Sequence, residues 1–376
     1  MKFIHTADWQ IGMKAAHVGA AGKAVREARL YTILTIVTLA QENHADFILV
    51  AGDTFENNSI DRLQVQKVAD ILSKTQIPVF ILPGNHDPLV PGSVWEHPAW
   101  KTCDNVHILI EREPIEIPGG IILYPCPVLQ KYSRKDPTTW IEKSREDRIR
   151  IGIAHGTVEG VHQDEPDYPI PRHAAERCGL DYLALGHWHS TTTYEDSSGC
   201  VRMAYSGTHE TTKFGERDSG NILLVDIPGR GIPPVVKSIH VGTLTWKLVE
   251  GNLRAPGELA SLRKDIENME NPEKTLMDVR IKGLLFCEDR GEIEQIRDIL
   301  DSRFLFGRFD LSDAIPSATD DKWVADLPPG VVRETANILR DLSKPNFSGK
   351  RPDWVTSEIA SRALLELYAL VSEVAR

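Results

Sequence analysis

The sequence predicts an α/β fold: two stacked sheets flanked by helices, then a smaller α/β unit and a terminal helix. Three observations carry this expectation. Apolar runs and amphipathic stretches alternate strand, helix, strand, helix, strand through residues 2–82, the pattern of right-handed βαβ units and a largely parallel sheet. Short apolar runs follow one another without helices over residues 201–249, which suggests a second, antiparallel sheet and therefore a sandwich. Near residues 251–256 the character changes, and a chain of 376 residues has room for a second domain.

Taken in order, the first strand (Lys2-Phe3-Ile4) reaches Asp8, and Trp9-Gln10-Ile11-Gly12 opens a Gly/Ala-rich loop. Residues 23–43 are helical, with Leu30, Ile33, Leu34 and Val37 at i, i+3, i+4 and i+7. A strand at 46–51, a helix at 61–74 and a strand at 77–82 follow. Residues 88–100, rich in Pro and Trp, read as a loop, and strands return at 106–110 and 121–124. The charge-crowded segment 131–150 reads as a solvated helix-and-loop excursion, and 159–167 is acidic. Later strands are expected at 201–205, 221–227, 235–241 and 244–249, the middle pair joined by Pro228-Gly229-Arg230-Gly231. This divides the chain into a large domain (1–250), a small α/β domain (251–342) and a tail (343–376). The tail holds a Pro/Gly/Ser linker and a helix with Leu364, Leu367, Tyr368 and Val371 on one face.

Hydrophobic residues make up 41% of the chain and charged residues 26%, as in ordinary soluble globular proteins. No apolar run approaches the roughly 18 residues of a membrane span, and no signal-peptide pattern opens the chain. Five scattered cysteines (Cys103, Cys126, Cys178, Cys200 and Cys287) without a CxxC read as reduced thiols of a cytoplasmic protein. A net charge of −11 argues against a uniform nucleic-acid coat but leaves room for a local basic face. Arg340, Lys344, Lys350 and Arg351 stand there against one acid, Asp341.

The chemistry lies where the apolar runs stop. Strand-like runs end at Asp8, at Gly52-Asp53, at Gly84-Asn85-His86-Asp87, at His155 and at Gly186-His187-Trp188-His189. Singly, an Asp at a strand end is usually a cap and a lone His a satisfied core residue. Together, at the strand ends where open α/β sheets bind ligands, they read as a dinuclear metal site. Two cations about 3.5–4 Å apart need a bridging carboxylate, for which Asp53 is the obvious choice. Mixed imidazole, carboxylate and amide donors suit manganese, iron or zinc better than calcium. His86 beside the metals can protonate a leaving oxygen, and Asp87 would orient it.

The series Asp8, Gly52-Asp53, Gly84-Asn85-His86-Asp87, His155-Gly156 and Gly186-His187-Trp188-His189 resembles the calcineurin-like metallophosphoesterase superfamily. Phe3-Ile4-His5-Thr6-Ala7-Asp8-Trp9, Gly52-Asp53-Thr54-Phe55 and Tyr205-Ser206-Gly207-Thr208-His209-Glu210 resemble its SbcD branch, DNA-repair nucleases partnered by an SMC-like ABC ATPase. The resemblance covers about residues 1–250 and implies a metallophosphoesterase sandwich, with a capping-like domain after it. It implies one metal on Asp8, residue 10, Asp53 and His189, and another on Asp53, Asn85, His155 and His187, with His86 catalytic. It further implies a cytoplasmic, manganese-dependent DNA exo/endonuclease, homodimeric, with the terminal helix on the ATPase. One position departs: Gln10 stands where the family usually has His. The rival expectations are a phosphoesterase of a small nucleotide or other phosphodiester, and a scaffold whose catalysis has decayed.

Overall fold

In the computed structural model, which describes residues 1–144, 147–160, 167–286, 289–316, 322–344 and 346–374, the chain begins as expected. Strand β1 (Lys2–Thr6) leads through a loop and a 3-10 segment into α1 (Gly22–Glu42), then β2 (Phe47–Ala51), α2 (Arg62–Leu72) and β3 (Val79–Leu82). There follow β4 (Val106–Ile108), β5 (Ile115–Ile117), β6 (Ile121–Cys126), β7 (Ile149–His155), α3 (Ala174–Cys178) and β8 (Tyr182–Gly186). Strands β9 (Thr192–Glu195), β10 (Val201–Tyr205), β11 (Asn221–Asp226) and β12 (Val235–His240) complete the first of two units, Met1–Trp246.

Two six-stranded sheets stack in that unit, one ordered β12-β11-β1-β2-β3-β4 and the other β5-β6-β7-β8-β10-β9. Strand β2 shows why the apolar runs are unbroken. Phe47, Leu49 and Ala51 face the space between the sheets, while Ile48 and Val50 face the helical side with Ile33, Val37 and Val68. A strand covered on both faces needs apolar residues at every position. On α1 the predicted face is largely the buried one: Ile33, Ile36 and Val37 are in the core, and Leu30 packs against it.

The second sheet corrects the sequence expectation. Its centre is parallel, with Ile151 beside Tyr182, His155 beside Gly186 and Met203 beside Leu183; only the edge strands β5 and β9 run antiparallel. The run of helix-free strands divides between the sheets, because β11 and β12 join β1 on the first. Segment 131–150 is also not the solvated helix expected. Among the described residues it has no helix, and it lays Ile141 into the core over Tyr124, Cys126 and Cys178. Arg150 is buried over the Tyr124 ring at 4.4 Å. Within loop 88–100, Trp95 and Trp100 stack at 5.9 Å and are buried. Residues 161–166 of the acidic stretch, Cys287 and Pro345 of the linker lie outside the described residues.

The second unit, Lys247–Arg376, carries most of β13 (Thr245–Leu253), α4 (Glu258–Glu267), β14 (Thr275–Leu285), α5 (Asp289–Arg303) and β15 (Phe306–Pro316), with the three strands forming one sheet. Then come α6 (Lys322–Asp326), α7 (Val331–Ser343) and α8 (Ser357–Val374). Leu364 of α8 is buried with Trp323, Val324, Leu327 and Ala336, and Leu367, Tyr368 and Val371 pack on that cluster. Among the described residues no helix is long and apolar enough to cross a membrane.

Candidate metal centre

Parallel register brings the ends of β1, β2, β3, β7 and β8 to one edge of the sandwich, and every expected ligand sits there. Asp8, Gln10, Asp53 and His187 have φ of 54°, 42°, 51° and 102°, left-handed backbone that is unfavourable for residues with a Cβ. Such strain persists where surrounding structure enforces it, and it collects at functional sites. The backbone explains the neighbouring glycines. A Cβ on Gly52 would stand 2.1 Å from His155 Nδ1, and one on Gly84 2.1 Å from Asp53 Oδ1.

Ligand atoms of Asp8, Asp53 and His155, all buried, lie within 4.8 Å of one another. Asn85 Oδ1 is 2.8 Å from His155 Nε2 and 3.3 Å from His187 Nδ1, and His155 Nε2 is 3.4 Å from Asp53 Oδ2. His155 Nδ1 donates to the Ala51 carbonyl at 2.9 Å, which turns Nε2 toward this cluster. The buried Nε2 of His187 has no hydrogen-bond partner. Oxygen and imidazole donors crowded together, with one orphaned nitrogen among them, fit a bound cation.

The second donor set adjoins the first. Asp8 accepts the His187 amide at 3.1 Å, and Gln10 Nε2 lies 3.1 Å from His189 Nε2. Gln10 therefore lies beside the second donor set, at the position where the resemblance implies a ligand. His189 Nδ1 bonds Glu216 Oε1 at 2.8 Å, which leaves Nε2 to face inward.

Charge follows geometry. Burial, opposed by the nearby His155 and His189, raises Asp8 to about 6. Burial alone would lower His155, but the charge and hydrogen bond of Asp53 outweigh it and carry the ring to about 9. Asp53 shifts down in return, against its own burial. Burial, and after it His155, lowers His187 to about 3, so that ring is neutral, as a ligand must be.

His86 is half-buried at the mouth. Its amide donates to Asp53 Oδ1 at 2.9 Å, and Nδ1 donates to the Glu56 carbonyl at 3.0 Å, leaving Nε2 for chemistry. Asp87 does not orient that ring, contrary to expectation. Its two oxygens accept the amides of Gly84 (2.7 Å) and Phe55 (2.8 Å), so it clasps the loop that carries Asn85 and His86. The Glu56 carbonyl has the orienting role instead, through its bond to Nδ1.

Three supporting residues escaped the sequence reading. Glu216 holds His189, and Asp167 accepts from Asn85 Nδ2 at 3.3 Å. Arg29, buried on α1, donates to the carbonyls of Asp8 (3.2 Å), Trp9 (2.8 Å) and Glu210 (2.8 Å) and to Thr208 Oγ1 (3.1 Å). Arg29 was findable, since it sits on the buried helical face between Val25 and Ile33. Glu216 and Asp167 carry no local mark. A cleft of about 650 Å³ opens over the centre, lined among others by Gln10, His86, Trp188 and His189.

Fold and site together define a metallophosphoesterase. The chain belongs to the calcineurin-like phosphoesterase family, whose model matches residues 1–191. It is similar to the uncharacterized metallophosphoesterase YhaO of Bacillus subtilis, 24% identical over 300 residues that cover 76% of this chain and 70% of that protein. A superposition on the crystal structure of TT1561 of Thermus thermophilus covers 64% of this chain and 98% of that one at 12% identity. Its TM-score is 0.41, too low to add to the assignment.

The family makes the chain a metal-dependent phosphoester hydrolase, typically with two divalent ions. Asp53, Asn85, His155 and His187 would hold one, and Asp8, Asp53, His189 and Gln10 the other. When bound, such ions neutralise phosphoryl charge and activate a water for in-line attack. The chain's own part is to keep the imidazoles turned inward, through Ala51 and Glu216, and to hold His86 Nε2 at the mouth for proton delivery.

Proposed function

We propose that this protein is an SbcD-type nuclease: a manganese-dependent phosphodiesterase that cuts DNA as an exo- or endonuclease in repair, beside an SMC-like ABC ATPase. The observation that carries the reading is the donor cluster set beneath a cleft, with His86 at its mouth rather than in a closed pocket. Two features support the DNA branch. The segment Tyr205–Glu210 that resembles it braces the site, with Thr208 Oγ1 donating to the Asp8 carbonyl at 2.9 Å. A second α/β unit follows, as in that branch, where a small substrate would call for none.

The ATPase contact is assigned to the second unit, with the protein acting as a homodimer in the cytoplasm. There Val331, Ile338 and Leu370 are exposed, and Leu327, Pro328, Pro329 and Leu367 help line an apolar groove of about 580 Å³. Of the basic residues at 340–351, Arg340 and Lys344 pair with Asp341, and Arg351 bonds the carbonyls of Leu342 and Lys344. Those cations finish α7, which leaves the patch a poor candidate for tracking phosphates.

The deciding experiment supplies manganese to the purified protein with a labelled oligodeoxynucleotide and, separately, with bis(p-nitrophenyl) phosphate. Cleavage of both supports the nuclease. Cleavage of the small diester alone assigns a small-molecule phosphodiesterase, and cleavage of neither a decayed scaffold.

A further inference from the structure

We infer that Lys213 and Arg217 form a second phosphate subsite beside the metal centre, gripping a phosphate next to the scissile one. The inference rests on reading the centre as a phosphodiesterase. It deepens that reading by naming residues that would select a chain of phosphodiesters over an isolated one.

Lys213 and Arg217 line the same cleft as Gln10, His86 and His189, and both are exposed. They are the only lysine and arginine among the described lining residues, and no carboxylate of the described residues pairs with either. Glu216 lies next to Arg217 but does not neutralise it. One of its oxygens holds His189, and the other accepts the Thr212 amide at 2.7 Å. In a chain of net charge −11, two long cations left unpaired over a phosphoester-cleaving centre have a use if an anion enters between them.

The segment carrying them is built to hold its shape. Thr211 Oγ1 meets Ser219 Oγ at 2.8 Å and closes the loop at its base. Thr212 and Glu216 tie it across the middle, and Phe214 meets the Trp246 ring edge-on at 5.0 Å. The Glu216 that shapes this loop also holds a proposed ligand, so one residue ties the loop that carries the two cations to the metal site. A guanidinium and an ammonium carried on such a loop recognise phosphate by charge and hydrogen bonding. Trp188, lining the same cleft, adds a ring surface of the kind on which bases stack, which favours a nucleic-acid strand.

The test uses the whole protein in EDTA and a fluorescein-labelled single-stranded oligodeoxynucleotide, with binding read by anisotropy across a salt series. Lys213→Gln with Arg217→Gln should weaken binding at least tenfold. It should also flatten the slope of log affinity against log salt by about 1.4, since each single-strand phosphate contact contributes about 0.7. The charge-keeping pair Lys213→Arg with Arg217→Lys should hold the slope. With manganese present, the Gln pair should lower the ratio of kcat/KM on the oligonucleotide to that on bis(p-nitrophenyl) phosphate by tenfold or more. Unchanged affinity and slope would overturn the subsite, as would equal losses on both substrates or a flattened slope in the charge-keeping pair. Absence of oligonucleotide binding by the wild type would overturn it too. Binding without cleavage would instead remove the nuclease reading and leave the subsite standing.

Discussion

Removing the His86 ring should affect turnover and little else, because Nδ1 is engaged with the Glu56 carbonyl and the metal donors belong to other residues. His86→Ala is expected to lower turnover by roughly 10²–10⁴-fold, the usual worth of a positioned acid, while calorimetric manganese binding stays near wild type. A melting temperature that falls in proportion to activity would make His86 a packing residue instead. Gln10 allows the opposite experiment. Its amide lies against His189 and offers a neutral donor where an imidazole would bind more tightly. Manganese should therefore bind in two unequal steps, the tight one at Asn85, His155 and His187. Gln10→His should strengthen the weaker step and let activity saturate at lower metal. Two equally tight sites in the wild-type titration would refute the asymmetry.

Helix α1 and strand β1 each carry buried polar residues that tie elements together. Arg29 on α1 binds three carbonyls around the Asp8 turn and the Glu210 loop, and Glu210 in turn accepts Thr32 Oγ1 at 2.6 Å and the Thr243 amide at 2.6 Å. Arg29→Met strands those carbonyls and leaves Glu210 a buried charge without its cationic neighbour. We expect a loss of about 3–5 kcal/mol in urea unfolding, the usual cost of breaking a buried charge network. His5 on β1 links the two sheets, with Nε2 donating to the Leu185 carbonyl at 3.1 Å and Nδ1 meeting the Tyr182 hydroxyl at 3.0 Å. Burial outweighs the backbone bond and lowers its pKa to about 3 from an ordinary 6.5. The folded ring is neutral while the unfolded one takes up a proton below 6.5. Its share of stability is therefore complete above pH 6.5 and lost as pH falls toward 3, at up to about 1.4 kcal/mol per pH unit. Urea midpoints at pH 7 and 5 read this loss, and His5→Asn should remove its share of the difference.

The division at Trp246 and Lys247 places every proposed ligand in the first unit and α8 in the second. Deleting residues 349–376 would uncover Trp323, Val324 and Leu327 and should lower the melting of the second unit. Manganese-dependent hydrolysis of bis(p-nitrophenyl) phosphate should survive the deletion. Two calorimetric transitions, the later one unmoved by the deletion but raised by manganese, would bear this out. A single transition that shifts as a whole would show the units unfolding together.

The strand ends, their order along the chain and the gathering of the polar residues that close them at one edge were legible in the sequence. An apolar run and the polar residues that terminate it are contiguous, and a chain that winds βαβ must bring those ends to one edge. Pairing was not legible to that degree. Helix-free strands after residue 190 look antiparallel in sequence, yet β10 lies parallel to β8, and β11 leaves for the other sheet. Strand direction is set by which neighbour buries the face, and the sequence pattern carries only the face. The partners of the ligands were hidden for the same reason. Glu216 stands 27 residues from His189 and Asp167 82 from Asn85, and a carboxylate in a loop looks like any other until folding places it against a ring or an amide. Asp87 is the converse case: adjacency suggested a partner for His86, but backbone direction gave its oxygens to Gly84 and Phe55.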